Sequence, residues 1–544
     1  MRKLFLYAFF SLSSFFCYSQ NWKWVADGGG LGNDEYWAIK LSKDHANVYA
    51  AGPFEQTAKI GSTFLTSAGS ADILLSKYDT AGNVVWAKRI GGGAGYDVPT
   101  EIFEDDSSHI YVFGVFQGKA GFGSDTLLAG ASGDGAFYAK YDSNGQQIWI
   151  KQMHGNGICY SGEIRTDMNG DLLISGQFSD SLSIDTITIV SKGLGDCFLA
   201  KLSPNGNVHW VRTAGGTGDD GISGMNVDKN NNIMITGYFT DNAMFGSNAI
   251  IGTPSQPNAF VSKYSSSGTN LWVKSGGGNA RTYGSWITSD LANNYYVVGY
   301  FYGTVHFDST ALTSAGKDDI FIARYDANGN RKWAKRLGDV GYDEAYYSVT
   351  DNSGNSFLTG RYTPTISGIP NPNSEFLVAK IDSSGILKWL KTSGMKRNAY
   401  GESSECAFDN SNNLYVGGFF QGINYFDSDS VVCNGGWDMC LAKLHDSTGI
   451  VSSITDLVEP IHVTIYPNPC IGEITLDLSG VIFDDLTISI SNVLGQEMQK
   501  SQIKATEEGH IHTTIILPGL PSGIYLVQIK YGSRYVRKKI IVRA

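Results

Sequence analysis

The sequence predicts an all-β protein, and three observations support that prediction. Tryptophans recur at a step of about 62 residues, which is the spacing of a repeated supersecondary unit. A Gly-x-aromatic triplet keeps the same step, from Gly52-Pro53-Phe54 to Gly418-Phe419-Phe420. No long segment shows the 3.6-residue apolar period of an amphipathic helix. The seven tryptophans are Trp24, Trp86, Trp149, Trp210, Trp272, Trp333 and Trp389.

Each copy of the repeat predicts four short strands, named A to D in chain order. In the second copy, apolar and polar residues alternate over 98–104, 109–116, 136–142 and 147–152. Ser143-Asn144-Gly145 predicts a tight turn between C and D, because Asn and Gly tolerate positive φ. Residues 121–130 predict a small extra loop or hairpin between B and C.

The ends of the repeat region predict a closed ring. The last copy ends at Leu444 without a strand D, whereas Trp24 precedes the first strand A. We therefore expect residues 21–26 to supply strand D of the last copy. This pairing closes a seven-bladed β-propeller and removes an open sheet edge. A linear solenoid is the alternative, but it would need capping repeats, and the sequence shows none.

The full repeat resembles that of a known family. Its pattern is W-x-K…GG…D…N-x-Y-x-x-G-x-F…FG…D-x-F-x-A-K-Y-D-x-x-G. This pattern resembles the bacterial β-propeller repeats often called SBBP repeats, and the resemblance covers roughly residues 21–453. It implies the propeller fold for residues 20–453. It implies no activity, because the family is defined by the repeat and has no common catalytic motif.

Residues 1–19 predict a signal peptide. Arg2 and Lys3 precede an apolar stretch at 4–16, and cleavage before Gln20 fits the small residue Ser19. The stretch is too short to span a bilayer, and no other segment predicts a transmembrane helix. Cys17 raises the alternative of a lipoprotein, although the preceding Phe16 is not the small residue that such processing prefers.

The C-terminal part predicts a separate domain. The repeat stops after Ser453, a linker covers 454–462, and alternating runs at 474–478 and 487–491 predict a small β-sandwich over 463–544. Four motifs follow in order: Tyr466-Pro467-Asn468-Pro469, Asn-x-x-Gly-Gln at 492–496, Gly-x-Tyr-x-Val at 523–527, and the basic stretch at 537–539.

Those four motifs resemble the type A sorting domain of the type IX secretion system of Bacteroidota. The resemblance implies the type IX secretion machinery as a partner, acting through residues 463–544. It also implies passage through the outer membrane, followed by release or attachment at the cell surface. An ordinary immunoglobulin-like sandwich is the alternative interpretation of the same strands.

Charge and cysteine content restrict the classes of partner and cofactor. The formal net charge is −11, which argues against nucleic acid or anionic membrane as a partner. The six cysteines outside the signal peptide match no zinc motif. A Cys406–Cys440 disulfide and unpaired core thiols both remain open.

Two repeated polar patterns are interpreted as structural. Asp/Asn-rich turns between A and B, such as residues 167–171, could hold calcium, but these residue types also suit turns on their own. We expect no other cofactor. A basic residue such as Lys77, with Asp72 five positions earlier, recurs in most copies. Repetition in every copy favours a role in the scaffold over a ligand site.

Candidate ligand-binding residues lie where the copies differ, in the loops between D and A. In propellers these loops surround the mouth of the central channel. Their tyrosines, carboxylates and cations suit a polar extracellular ligand, a glycan or a protein. The candidates are Tyr96, Asp97, His154, Tyr160, Asp219, Asp220, Arg281, Tyr283, Tyr342, Asp343, Arg397 and Tyr400.

The sequence favours non-catalytic binding or scaffolding outside the cell, with two alternatives. A polysaccharide-active hydrolase or lyase could use a carboxylate pair drawn from Asp97, Asp219 and Asp343. No nucleophile elbow, metal-binding histidine cluster or phosphate loop supports an enzyme. A purely structural surface protein is the second alternative.

Overall fold

In the computed structural model, the described residues form strands and turns. They are 20–130, 133–157, 159–366, 369–370, 373–395, 399–447, 462–479, 486–492, 496–503, 510–517, 519–531 and 534–543. Within them every regular element is a β-strand. The predicted signal peptide and most of the predicted linker lie outside the described residues.

The repeat region forms antiparallel four-stranded ladders, each in the order A-B-C-D, and the described residues contain seven of them. Strands A are Ala38–Leu41, Val98–Glu104, Cys159–Thr166, Gly221–Val227, Thr282–Ser289, Glu344–Thr350 and Tyr400–Phe408. Strands B are Asn47–Phe54, Ile110–Gln117, Leu172–Phe178, Ile233–Phe239, Tyr295–Phe301, Ser356–Tyr362 and Asn413–Gln421.

Strands C and D complete each ladder. Strands C are Asp72–Asp79, Asp134–Tyr141, Asp196–Leu202, Asn258–Tyr264, Asp319–Tyr325, Glu375–Ile381 and Asp438–His445. Strands D are Val84–Ile90, Gln147–Gly155, Val208–Gly216, Asn270–Gly278, Arg331–Leu337, Leu387–Thr392 and, for the last ladder, Asn21–Gly30.

The N-terminal strand completes the last ladder, as the sequence predicts. Trp22 lies opposite Leu444, and Gly28 lies opposite Met439. The strand runs to Gly30, four residues beyond the predicted end, because its last residues also pair with the hairpin strand Thr57–Ile60. The N-terminal strand therefore connects the first and the last copies of the repeat.

Strands A follow one another around a closed cycle. Each contacts the strands A of the preceding and following copies, and Ala38–Leu41 contacts both Val98–Glu104 and Tyr400–Phe408. The first and last copies are thus neighbours. Strands A are therefore the strands nearest the axis of this cycle.

A short hairpin follows strand B in each copy. The hairpins are Thr57–Ile60 with Thr63–Thr66, Lys119–Phe122 with Asp125–Leu128, Ser181–Ile184 with Ile187–Val190, Asn242–Phe245 with Asn248–Ile251, Thr304–Phe307 with Thr310–Thr313, Thr365–Ile366 with Ile369–Pro370, and Ile423–Phe426 with Asp429–Val432. The short strand Gly394–Met395 pairs with the last of these hairpins. In four ladders the hairpin of the next copy pairs with strand D, which covers an otherwise open sheet edge.

In five copies the recurrent tryptophan packs on the C–D turn of the next copy. The Trp272 ring packs on Gly329, in the C–D turn of the following copy, and its Nε1 donates to the Ala327 carbonyl at 3.3 Å. A Cβ at Gly329 would lie 2.8 Å from the ring, and the φ of +79° also requires glycine. The same packing occurs in the pairs Trp24–Gly82, Trp86–Gly145, Trp210–Gly268 and Trp333–Gly385.

The chain divides into two compact units, and residues 453–544 form most of the second. One antiparallel sheet of that unit contains His462–Tyr466, Glu473–Ser479 and His510–Ile516. The other contains Glu497–Ile503, Leu486–Asn492, Gly523–Tyr531 and Arg534–Val542. Ile474, Leu476, Ile488 and Val527 belong to one buried apolar cluster to which both sheets contribute.

Candidate functional site

Three of the predicted ligand-binding carboxylates are buried and bind backbone amides instead. Asp220 accepts hydrogen bonds from the Gly216 and Thr240 amides at 2.7 and 3.1 Å. Asp343 accepts from the Asp339 and Thr363 amides at 2.7 and 2.9 Å. Burial raises the pKa of both carboxyl groups to about 7. These side chains hold the D–A loops in shape and do not face a ligand.

Asp97 has the same role. It is buried, and it accepts a hydrogen bond from the Gly92 amide at 2.9 Å. Burial raises its pKa to about 6. Asp34, which the sequence analysis did not single out, holds the first D–A loop through the Gly30 and Glu55 amides. Of the three aspartates from which a hydrolase pair could be drawn, Asp97 and Asp343 are therefore buried, and only Asp219 is accessible.

Asp219 and Arg281 are accessible, and each is engaged by neighbouring side chains. Asp219 accepts from Gln177 Nε2 at 2.6 Å and from the Tyr238 hydroxyl at 3.0 Å. The Arg281 guanidinium donates to both carboxylate oxygens of Asp318, at 3.1 and 2.6 Å. These pairs order the loop surface, and a ligand would meet them as fixed polar groups.

The remaining candidates are mostly aromatic and lie at the surface. Tyr160 is 58% exposed, Tyr96 and Tyr342 are about two-fifths exposed, and His154 is exposed. The Tyr283 ring lies 5.3 Å from both the Tyr238 and the Tyr300 rings. The Tyr400 hydroxyl donates to Glu402. Arg397 lies outside the described residues.

A cavity of about 410 Å³ lies at the axis, where strands A begin. None of the twelve predicted site residues lines it. The lining residues are Glu35, Trp37, Thr100, Glu101, Glu163, Ser223, Trp286, Tyr346, Tyr347, Glu402, Ser404, Glu405 and Phe419. Five of these are glutamates, and five are tryptophan, tyrosine or phenylalanine.

One position of strand A supplies much of this lining. Its occupants, placed by the pairing with strand B and by the repeat spacing, are Ala38, Glu101, Glu163, Gly224, Trp286, Tyr347 and Glu405. In six of the seven strands A the register with strand B shifts next to this position. Such bulges re-aim side chains and are common beside functional sites.

The sequence-based predictions missed this position. Aligned copies carry alanine, three glutamates, glycine, tryptophan and tyrosine there, but the position two residues later varies as widely, with Lys40, Arg165, Val349 and Ala407 among its occupants. Variation along the repeat therefore does not identify the axial position, which also depends on the register shift.

Two cations lie beneath the glutamates. Lys40 Nζ is 2.8 Å from Glu101 Oε1 and 3.4 Å from Glu405 Oε2. Arg165 Nη1 is 2.9 Å from Glu101 Oε1, and Nη2 is 2.9 Å from Glu163 Oε2. Three buried carboxyl groups thus share two cations at the floor of the cavity.

The three carboxyl groups differ in their affinity for protons. Burial and the nearby Glu101 charge raise the pKa of Glu163 and of Glu405 well above the usual range. Burial opposes ionisation of Glu101 as well, but Lys40 and Arg165 outweigh it and lower the pKa of Glu101. Glu405 Oε2 also accepts a hydrogen bond from the Ile39 amide at 2.8 Å. Of the three carboxyl groups, Glu101 is the one whose ionised form the two cations stabilise most.

Aromatic rings complete the floor. The Trp286 and Tyr347 rings lie 4.0 Å apart between centroids. The Arg165 guanidinium carbon is 5.0 Å from the Trp286 centroid, and Lys40 Nζ is 5.0 Å from the Tyr347 centroid. Both distances suit cation–π attraction. Lys40 also donates to the Tyr347 hydroxyl at 2.9 Å.

The opposite end of the axis has a different chemistry. A cavity of about 370 Å³ there is lined by the A–B turns. Asp228 Oδ1 accepts from the Asn230 and Asn232 amides at 2.9 and 2.8 Å, and Asp167 binds its own turn in the same way. The described residues contain no group of three His, Cys, Asp or Glu side chains placed to hold a metal ion. These contacts fit the structural role, and calcium binding there stays a prediction.

The recurrent basic residue binds the A–B turns or the turns of the next copy. Lys201 Nζ lies 2.6 Å from Asp167, and Lys443 donates to the Thr80 carbonyl at 3.2 Å. Lys77 donates to the Ser143 carbonyl of the next copy at 3.4 Å, and Asp72 accepts the Ala68 amide within its own loop. The scaffold role proposed for both positions fits these contacts.

The described cysteines are free thiols. Cys406 lies on strand A and Cys440 on strand C of the last ladder. Strand B separates the two. Unpaired core thiols, one of the two alternatives left open by the sequence, match this arrangement.

Comparison with known proteins identifies the C-terminal region. Residues 464–543 match the family model of the secretion system C-terminal sorting domain. A curated relative, the uncharacterized WD repeat-containing protein L264 of Acanthamoeba polyphaga mimivirus, is 23% identical over 267 residues. These cover 42% of this chain and 19% of that protein.

Solved structures give distant likenesses. A puromycin hydrolase is 8% identical, with 72% of this chain and 59% of that chain covered and a TM-score of 0.37. PorZ, a surface component of the type IX secretion system of Porphyromonas gingivalis, is 12% identical, with 95% of this chain and 100% of that chain covered and a TM-score of 0.17.

No described segment forms a helix with the length and apolarity needed to cross a membrane. The matched sorting domain makes the protein a secreted or cell-surface protein exported by the type IX secretion system.

Proposed function

We propose that the chain is a seven-bladed SBBP-type β-propeller with a C-terminal sorting sandwich, and that it binds a polar extracellular ligand without catalysis. The ladders in A-B-C-D order and the cycle of contacts among strands A support the propeller. The N-terminal strand that completes the last ladder supports ring closure. Two sheets around one apolar cluster support the sandwich.

The observation that supports binding is the axial cavity of about 410 Å³. Its volume falls in the range of about 300–1,000 Å³ typical of ligand pockets. Rigid strands carry its glutamates and aromatic rings, so the polar groups keep fixed positions. Tyr283, Tyr342 and the other exposed loop residues would surround the entrance and extend the contact surface.

Hydrolysis is the second candidate, and one observation favours it. Glu101 and Glu405 are neighbouring carboxyl groups whose pKa values move in opposite directions, as an acid and a base require. Against it, Lys40 Nζ contacts both carboxyl groups, at 2.8 and 3.4 Å, so the two lie side by side. Glycosidase carboxyl groups are about 5 Å or more apart, which leaves room for the sugar between them. Non-catalytic binding is therefore the stronger proposal.

A purely structural role is the third candidate. It predicts an axis filled by side chains at both ends. The open cavity at the start of strands A favours a binding role instead. The sorting domain is compatible with all three roles, because it determines export and carries no information about the ligand.

A ligand screen with a cavity-filling variant tests the proposal. The mature chain would be screened against glycan and peptide arrays beside Ser223→Trp, since Ser223 lines the cavity. Ser353→Trp is the matched control, because Ser353 is exposed in an A–B turn. We expect a specific hit that Ser223→Trp loses and Ser353→Trp keeps. Hits that are unchanged in Ser223→Trp would contradict a site in this cavity.

A further inference from the structure

We infer that the axial cavity binds a cationic group, an alkylammonium or a guanidinium, carried by the ligand. The inference rests on the proposed function and specifies the chemistry of its ligand. Five glutamates line the cavity, and among its described lining residues none is a lysine or an arginine. A ligand entering from the open end therefore meets carboxyl groups and aromatic rings and no positive side chain.

Lys40 and Arg165, which lie beneath the floor of the cavity, do not pair with all of these glutamates. Glu101 takes the closest contact of both Lys40 and Arg165. Glu163 is 4% exposed and has Arg165 Nη2 at 2.9 Å from Oε2, yet no donor among the described residues is aligned for a hydrogen bond to that oxygen. Buried carboxyl oxygens normally accept hydrogen bonds. Because Oε2 is closed to solvent and contacts Arg165, a ligand would bind Glu163 through its other oxygen, Oε1.

Arg361, a third cation nearby, is paired with other side chains. Arg361 Nη2 lies 2.6 Å from Glu344, and Nη1 donates to the Tyr400 hydroxyl at 3.2 Å. Burial raises the pKa of Glu402, which lines the cavity, and the Arg361 charge offsets that rise only in part. Lys40, Arg165 and Arg361 therefore face six carboxyl groups when Glu344 is added to the five of the lining.

The protein's own side chains already show that this surface binds cations. Arg165 and Lys40 each lie between a glutamate and an aromatic ring at the floor. Trp286 and Tyr347, which provide those rings, also line the cavity, together with Trp37 and Tyr346. A ligand cation would be bound from the open end by the same pairing of carboxylate and ring.

Long-range charge favours the same class of ligand. The formal net charge of −11 attracts cations toward the protein and repels anions. A phosphate or carboxylate ligand would also meet five glutamates inside the cavity. The overall charge thus disfavours an anionic ligand.

Matched small probes test the inference on the mature full chain. Calorimetric titrations would use Nα-acetyl-lysine methylamide and Nα-acetyl-arginine methylamide against their neutral isosteres, the norleucine and citrulline derivatives. A Lys-containing peptide and 1,5-diaminopentane would distinguish a peptide side chain from a free amine as the source of the cation. The variants are Glu163→Gln, which is nearly isosteric, Ser223→Trp, which fills the cavity, and Asp228→Asn at the opposite end as control. Thermal unfolding would verify that each variant folds.

The inference predicts saturable binding of the cationic probes at least about tenfold tighter than of their isosteres, the effect of roughly one charge-assisted contact. A bound cation favours the ionised form of Glu163 and so opposes the rise that burial causes in its pKa. Glu163→Gln should therefore weaken that binding about tenfold, Ser223→Trp should abolish it, and Asp228→Asn should leave it unchanged. Equal affinity for charged and neutral probes, with glycan or peptide hits still lost in Ser223→Trp, would overturn the inference and leave the proposed function standing. No binding of any probe, glycan or peptide that depends on Ser223 would overturn both.

Discussion

The two ends of the axis are both acidic, but their carboxyl groups have different partners. At the A–B end, Asp167 and Asp228 accept the amides of their own turns. At the D–A end, Glu101 and Glu163 contact Arg165, Glu101 and Glu405 contact Lys40, and Glu405 also accepts the Ile39 amide at 2.8 Å. The amides of its own turn satisfy each carboxylate at one end, whereas groups distant in the chain satisfy the carboxyl groups at the other.

This difference separates scaffold from site within one repeat. The turn aspartates recur in most copies because each copy needs the same turn. The glutamates do not recur in every copy: the equivalent positions include Ala38, Gly224 and Trp286. The repeated polar residues therefore stabilise the turns of the scaffold, whereas the polar residues that do not repeat line the candidate binding site.

The largest expected effect comes from breaking the frame that holds both ends. Trp272→Ala removes a ring packed on the next copy at Gly329, so we expect the free energy of unfolding to fall by about 3–5 kcal/mol. Leu271→Ala is the matched control on the same strand, since Leu271 is 48% exposed. Denaturant unfolding of both variants would measure the difference. Equal losses would show that the recurrent tryptophan does not join the copies.

Removing a cation should destabilise the D–A end next most strongly. Arg165→Met leaves Glu101 and Glu163 without their guanidinium, and we expect a loss of about 3 kcal/mol in unfolding free energy. The double variant Arg165→Met, Glu163→Gln should recover part of that loss. Lys43→Met, which breaks an exposed pair with Asp106, should cost less than about 1 kcal/mol. A double variant no more stable than Arg165→Met would contradict coupling between the two charges.

A smaller loss is expected at the A–B end. Asp228→Asn keeps one acceptor for the turn amides but removes the oxygen that accepts the Tyr295 hydroxyl at 2.8 Å. We expect a loss of about 1–2 kcal/mol, because one buried hydroxyl loses its acceptor. Asp106→Asn, at a side chain that is 95% exposed, should change stability by less than about 0.5 kcal/mol. A loss as large as that of Arg165→Met would contradict the contrast between the ends.

The two ends should also respond to pH with opposite signs. The folded-state pKa of Glu163 is raised by burial, so the stability it contributes is present below its usual value of 4.5 and is lost as pH rises through the folded pKa. Burial opposes ionisation of Asp228, but hydrogen bonds from Asn232 and Tyr295 outweigh it and lower the pKa. The stability from Asp228 is present above its usual value of 3.8 and is lost as pH falls through the folded pKa.

Thermal unfolding from pH 3 to pH 9 would check these signs. Glu163→Gln should flatten the loss of Tm on the neutral side, and Asp228→Asn should flatten the loss on the acid side, each by about 2–4 °C. Asp106→Asn would again serve as the control. Parallel pH profiles for all three variants would contradict the assignment of opposite signs.

Much of the frame could be predicted from the sequence, because the repeat contains it. The spacing of Trp24 and the missing last strand D together predicted the pairing with Asp438–His445. The site could not be predicted in the same way. A register shift within strand A changes which residues face the axis, so alternation alone does not identify Glu101 or Trp286 as axial.

The buried loop aspartates were poor candidates for a different reason. Asp97 and Asp343 seemed variable because only some copies carry aspartate there, yet each binds backbone amides inside its own loop. The sequence alone does not distinguish a buried aspartate from an exposed one. Only the fold shows that the loop aspartates are enclosed and that Glu163, on a strand, borders open space.

A crystal structure of the mature chain soaked with Nα-acetyl-lysine methylamide would test the central claim most directly. The account predicts the ammonium group within hydrogen-bond distance of Glu163, beside Trp286 or Tyr347, in the cavity at the start of strands A. Density for the probe among the A–B turns near Asp228, with the D–A cavity unaltered, would contradict it.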